Sequence, residues 1–201
     1  MRKTKEDTEI SKLRILLAAE EEFCQRGFTA ANMDSIAKAA GLTKGAIFWH
    51  YRSKADLFTA TVRRATGRVK TIFQETFSSS LPIMEKCREI IKQVKKDKAF
   101  EVLIALSNAE ITGDITKGLL NEEISGIFKD AVQNLSDAKK RREIRPDTDI
   151  RNVLVTITLV MSGFAKMKDL KSLVAPLGGH VDDDYVINAI FDGLLSFQKP
   201  V

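Results

Sequence analysis

The sequence predicts an all-α fold, an N-terminal three-helix helix-turn-helix domain joined to a larger helical domain. Three observations carry that expectation. Apolar residues recur at three- and four-residue spacings along most of the chain, no strand-like alternation persists, and the four prolines fall outside the strongly periodic stretches. The expected boundary lies at residue 53, with residues 1–53 forming the first domain, 54–201 the second, and 54–80 a connecting helix.

The first helix is expected from about Thr8 to Arg26, with Leu13, Leu16, Ala19 and Phe23 on its apolar face and Gly27 ending it. A two-turn helix follows over Met33 to Ala40, capped by Asn32 and carrying Met33, Ile36, Ala37 and Ala40 at i, i+3, i+4 and i+7. Gly41 supplies a left-handed residue for a tight turn. Thr43 caps the next helix, which places Ile47 and Tyr51 toward the core. Ser53-Lys54-Ala55-Asp56 has the form of a capping box and starts a long helix that reaches Ser78. Further helices are expected over Ile83 to Lys96, Lys98 to Ile111 and Lys117 to about Glu143. After the Arg145-Pro146-Asp147 break come helices at 149–168 and 183–198.

Composition excludes several classes. Hydrophobic residues at 44% and charged residues at 29% suit a globular protein, and the longest apolar run, Val153 to Ala165, is too short to span a bilayer. The leader Met1-Arg2-Lys3 is followed by Lys5, Glu6, Asp7 and Glu9 where a signal peptide needs an apolar stretch, so a cytoplasmic protein is expected. Cys24 and Cys87 lie far apart with no CxxC spacing, and His50 and His180 lack partners at metal-ligand spacing. No metal and no cofactor are expected. No Ser, Cys or paired carboxylates come with an orienting partner and no glycine-rich phosphate loop occurs, which argues against an enzyme.

The net charge of +5 is modest, but it is concentrated. Between Thr43 and Lys70 stand Lys44, Arg52, Lys54, Arg63, Arg64, Arg68 and Lys70 against Asp56 alone, which suits either nucleic acid or a solvated helix face. The helix after Gly41 decides between them. With Leu42 and Ile47 holding it across its neighbour, it presents Thr43, Lys44, Gly45, Ala46, Trp49 and His50 outward, small residues for close approach and donors for phosphates or guanine edges.

These residues resemble the TetR family of bacterial repressors. The resemblance rests on Ile15-Leu16, Ala18-Ala19 and Phe23, then Gly27-Phe28, Ile36-Ala37, Ala40 through Ile47, and Trp49-His50-Tyr51 followed by Lys54 and Leu57. It covers about the first 60 residues, and TKGAIFWH with the basic leader looks closest to the branch controlling multidrug efflux. It implies DNA contacts at Thr43, Lys44, Gly45, Ala46, Phe48, Trp49, His50 and Lys54. Phe48 departs from the family's usual tyrosine and lacks the hydroxyl that would bond a phosphate. Lys54 is expected to bind phosphate at a helix start.

The resemblance also implies a symmetric dimer built from the last two helices of each chain, and an effector pocket in the larger domain. The chain supports the dimer independently, because Val153, Ile157, Val160, Phe164 and Met167 form a packing seam while Leu154 and Met161 make a second apolar face. Ile187, Ile190, Phe191 and Leu194 extend the expected interface. Pocket candidates are the polar Ser107, Asn108 and Glu110 among Phe73, Met84, Phe100, Leu103, Phe128, Met161 and Phe164, facing a small hydrophobic or amphipathic effector. The functional expectation is a homodimeric repressor that leaves double-stranded operator DNA when its effector binds. The alternative is a helix-turn-helix protein without a small-molecule effector, controlled by a protein partner.

Overall fold

The computed structural model describes residues 5–97, 99–107 and 114–165, together with Tyr185, Ala189 and Gly193, which are helical. Among the described residues there are eight helices: α1 Lys5–Ala30, α2 Met33–Ala40, α3 Lys44–His50, α4 Lys54–Ser78, α5 Ile83–Lys96, α6 Ala99–Ser107, α7 Asp114–Lys140 and α8 Ile150–Ala165. The chain divides into two compact units, one of Met1–Gly67 with Val102–Glu123 and one of Arg68–Glu101 with Ile124–Val201.

In the first unit, the helical run of α1 is interrupted at Gly27, whose φ of 70° is open to glycine at little cost. The break falls where the sequence places it. The buried face is another matter. Ser11, Ile15, Ala18, Ala19, Glu20 and Phe23 are buried, whereas Leu13 is 47% exposed. At about 100° per residue Leu13 lies some 200° from Ile15, so once Ile15 faces inward Leu13 faces water. Phe23, Phe28 and Phe58 interlock, with Phe58 edge-on to Phe23 at 5.0 Å and to Phe28 at 5.2 Å, which packs the start of α4 on the end of α1.

The second unit is built on Ile83, Cys87, Ile90, Ile91 and Val94 of α5, Leu135 and Ala138 of α7, Ile144, and Val153 and Met161 of α8. α7 stops three residues before the expected Glu143. Arg142 takes the left-handed conformation at φ 60°, and Glu143 N–H donates to the Ala138 carbonyl, closing the helix end. The Glu143 carboxylate then accepts from the Ile83 N–H at the start of α5, at 3.2 Å.

α8 corrects part of the expected seam. Val153 is buried within its own chain beside Met161, and Ile157 and Val160 pack half-buried against the same cluster with Leu154. The apolar residues left outward are Val155, 58% exposed, and Leu159, 66% exposed, one turn apart. A helix apolar on two faces gives no periodic signal for which face turns inward; packing on α5 made that choice. Met167, Ile187, Ile190, Phe191 and Leu194 lie outside the described residues, as does the Phe164 side chain.

Candidate nucleic-acid interface

The two short helices are fixed by their ends. Asn32 caps α2 by accepting from the Asp34 N–H at 2.8 Å, and its own N–H donates to the Glu22 carboxylate at 2.9 Å. At the other end Gly41 sits at φ 63°, its N–H donating to Lys38 and that of Leu42 to the Ala37 carbonyl. Gly41 faces the Arg14 guanidinium of α1, and its left-handed backbone would strain any side chain placed there. Thr43 then caps α3, its Oγ1 accepting from the Ala46 N–H at 3.2 Å. That bond uses an oxygen lone pair and leaves the hydroxyl proton for a phosphate.

α3 is two-faced. Ile47 is fully buried, and Tyr51 just past the helix end is buried too, burial raising its phenol above the ordinary value with Asp56 adding to the shift. On the opposite side Trp49 is 70% exposed and Phe48 45% exposed, while Thr43, Lys44 and Gly45 are exposed and Ala46 and His50 half-buried. The His50 ring stands edge-on to Trp49 at 4.6 Å. Thr8 of α1 joins Ala46, Trp49 and His50 around a shallow depression of about 400 Å³. Trp49, kept largely in water on a two-turn helix, forgoes much of the burial worth about 1.5–3 kcal/mol for a large apolar side chain, which argues that the face is reserved for a partner.

The cations are less free than their spacing suggests. Arg64 pairs with the buried carboxylate of Glu20, Arg68 forks onto Asp97, and Arg63 lies 3.6 Å from Glu123. The α4 arginines are therefore ion-paired within the protein rather than forming an open basic stripe. Lys44 Nζ is 2.8 Å from Asp34, and Lys54 Nζ donates to the Thr29 carbonyl at 2.9 Å while lying 5.0 Å over the Phe28 ring. None of these partners sits at helical spacing from its cation, so the sequence carried no signal for them. Ser53 and Asp56 do make the expected start of α4, Asp56 N–H donating to Ser53 Oγ and the Asp56 carboxylate accepting from Arg52 N–H.

The pocket candidates separate. Phe73, Met84, Phe100 and Met161 gather in the apolar cluster of the second unit, with Phe73 edge-on to Phe77 at 5.9 Å. Leu103 is buried in the first unit and Phe128 is 38% exposed on α7. Asn108 and Glu110 lie outside the described residues, as does the Ser107 side chain. Among the described residues no group of three or more His, Cys, Asp or Glu could hold a metal, and no helix is long and apolar enough to cross a membrane.

A capped, glycine-turned helix pair that presents an exposed aromatic face has the form of a helix-turn-helix. Residues 15–61 match the sequence model of the bacterial regulatory proteins of the tetR family. The N-terminal segment of the chain is therefore similar to the DNA-binding segment of that family. The chain is 45% identical to the HTH-type transcriptional regulator AcrR of Shigella flexneri over 58 residues, which is 29% of this chain and only 27% of that protein. It is 26% identical to the HTH-type transcriptional repressor BepR of Brucella suis over 173 residues, 82% of this chain and 83% of that one. The fold also matches the transcriptional regulator FadR of Bacillus subtilis, solved in complex with stearoyl-CoA, with a TM-score of 0.70 at 17% identity over 92% of this chain and 97% of that chain. Its relatives are regulators of transcription, not enzymes.

Proposed function

We propose that this regulator is a cytoplasmic homodimeric repressor, that α3 enters the major groove of its operator, and that a small hydrophobic or amphipathic molecule bound in the second domain releases it. The observation that carries the reading is the division of α3, with Ile47 sealed in the core and Trp49 left 70% exposed one turn-face away. Residues 1–53 supply DNA binding and 54–201 effector binding and dimerisation. Thr43, Lys44, Trp49 and His50 would meet the groove, with Gly45 and Ala46 allowing close approach and Phe48 and Lys54 at the backbone.

The dimer would form across α8 through Val155 and Leu159, the apolar pair left uncovered by the chain's own core. The effector site is proposed at the apolar cluster holding Phe73, Met84, Phe100 and Met161. Stearoyl-CoA, the ligand of the Bacillus subtilis FadR structure, belongs to the amphipathic class that such a site would take. Coupling of about 1–3 kcal/mol between the sites gives 5–150-fold release.

Footprinting on the DNA upstream of the protein's own gene tests the reading. A protected, two-fold symmetric site that is lost when a hydrophobic effector is added is the expected result. Protection that no small molecule from a broad amphipathic panel relieves, but that a protein fraction does, supports control by a protein partner instead.

A further inference from the structure

We infer that Asp34 is a specificity determinant of DNA binding, holding Lys44 away from phosphates and favouring its use on a base edge. The inference rests on the DNA-binding reading above. Lys44 is the first residue of α3, and the helix has no acidic residue in its first turn. A cation at a helix N-terminus faces the positive end of the helix dipole, an unfavourable placement that a nearby anion offsets. That anion comes from α2. The Asp34 carboxylate lies 2.8 Å from Lys44 Nζ, with both side chains about half exposed at 63% and 49%.

Asp34 is itself held in place. Its backbone N–H is bonded by the Asn32 cap in the first turn of α2, where a carboxylate is favoured by the dipole. Because α2 packs on α3 through the Gly41 turn, the Asp34 backbone accompanies α3 when that helix docks. A phosphate that takes the Lys44 ammonium must stand within a few ångströms of this carboxylate, well inside the screening length of about 10 Å at 0.1 M salt. A guanine O6 or N7 acceptor carries no net charge and escapes that repulsion. Asp34 thus weakens every sequence-independent use of Lys44 while leaving the base contact open, which widens the gap between operator and other DNA.

Asp34→Asn keeps the shape and removes the charge. Two duplexes serve as probes: a mixed-sequence duplex, and the tightest duplex selected by the wild type from a random library. Affinity for the mixed duplex should rise about fivefold at low salt, the scale of one unit charge a few ångströms away in water. The slope of log K against log salt should steepen by about one, as Lys44 becomes a counterion-releasing phosphate contact. The selected duplex should gain less, so discrimination falls. In a Lys44→Gln background, Asp34→Asn should change affinity by no more than about twofold and leave the slope unchanged, and matched thermal melting shows that each variant is folded. Unchanged affinity and slope in Asp34→Asn, or a gain that persists in the Lys44→Gln background, would overturn the inference while leaving DNA binding standing. If the wild type shows no salt-dependent binding to any duplex, both readings fall.

Discussion

Replacing Lys54 with alanine tests whether one side chain serves both the fold and the DNA. In the free protein its ammonium donates to the Thr29 carbonyl at 2.9 Å and lies 5.0 Å over Phe28, tying the start of α4 to the end of α1. A charged hydrogen bond contributes about 1.5–3 kcal/mol and an exposed cation–π contact about 0.5–1. Because Lys54 is half exposed, the low end of each range applies, and the sum is about 2 kcal/mol. For a chain of this length that lowers Tm by roughly 4–8 °C. One of three ammonium protons is used by Thr29, so the others remain free for a phosphate. Loss of that phosphate contact should lower the salt slope of DNA binding by about one, equally for all sequences. Thermal melting reads the first effect and anisotropy titrations across a salt series read the second. A fall in Tm with an unchanged salt slope would refute the phosphate role; an unchanged Tm would refute the structural one.

Arg64→Ala leaves the Glu20 carboxylate, 7% exposed, without its guanidinium, and should cost about 3 kcal/mol in chemical denaturation; Arg64→Ala combined with Glu20→Gln should recover part of that loss. Arg142→Gly relieves a left-handed residue at φ 60° and should stabilise the protein by about 1 kcal/mol, where a loss of stability would show that the side chain holds the α7 end. Burial pushes the Cys87 thiol up to about 12, so Cys87 stays protonated and should resist iodoacetamide at pH 8 in the native protein, reacting only on unfolding; peptide mapping of native alkylated protein that shows modified Cys87 would contradict its burial.

The helix-turn-helix was readable because its signals are local. Asn32, Gly41 and Thr43 act within a few residues of themselves, and the structure places helix ends at each of them. The inward side of α3 was readable too, since Ile47 and Tyr51 alone on that side could be buried at helical spacing. What stayed hidden depends on distance in sequence. Asp34 is ten residues from Lys44, and Glu20 is 44 from Arg64, so the basic surplus looked open when the arginines of α4 were already ion-paired. α8 failed for a different reason: being apolar on both faces, its sequence could not say whether Val153 or Val155 would face its own core. Leu13 was misplaced because α1 carries leucines on more than one face, and the small residues Ala18 and Ala19 set the packed side.

The most direct test of the central claim is the fluorescence of Trp49, the only tryptophan of the chain. Standing 70% exposed on α3, it should emit at a solvent-exposed wavelength and be readily quenched by iodide. Binding of the selected operator duplex should shield it from iodide, and Trp49→Phe should weaken that binding with little change in Tm. A blue-shifted, unquenched Trp49 that DNA leaves unaltered would contradict the assignment of this face of α3 to the groove.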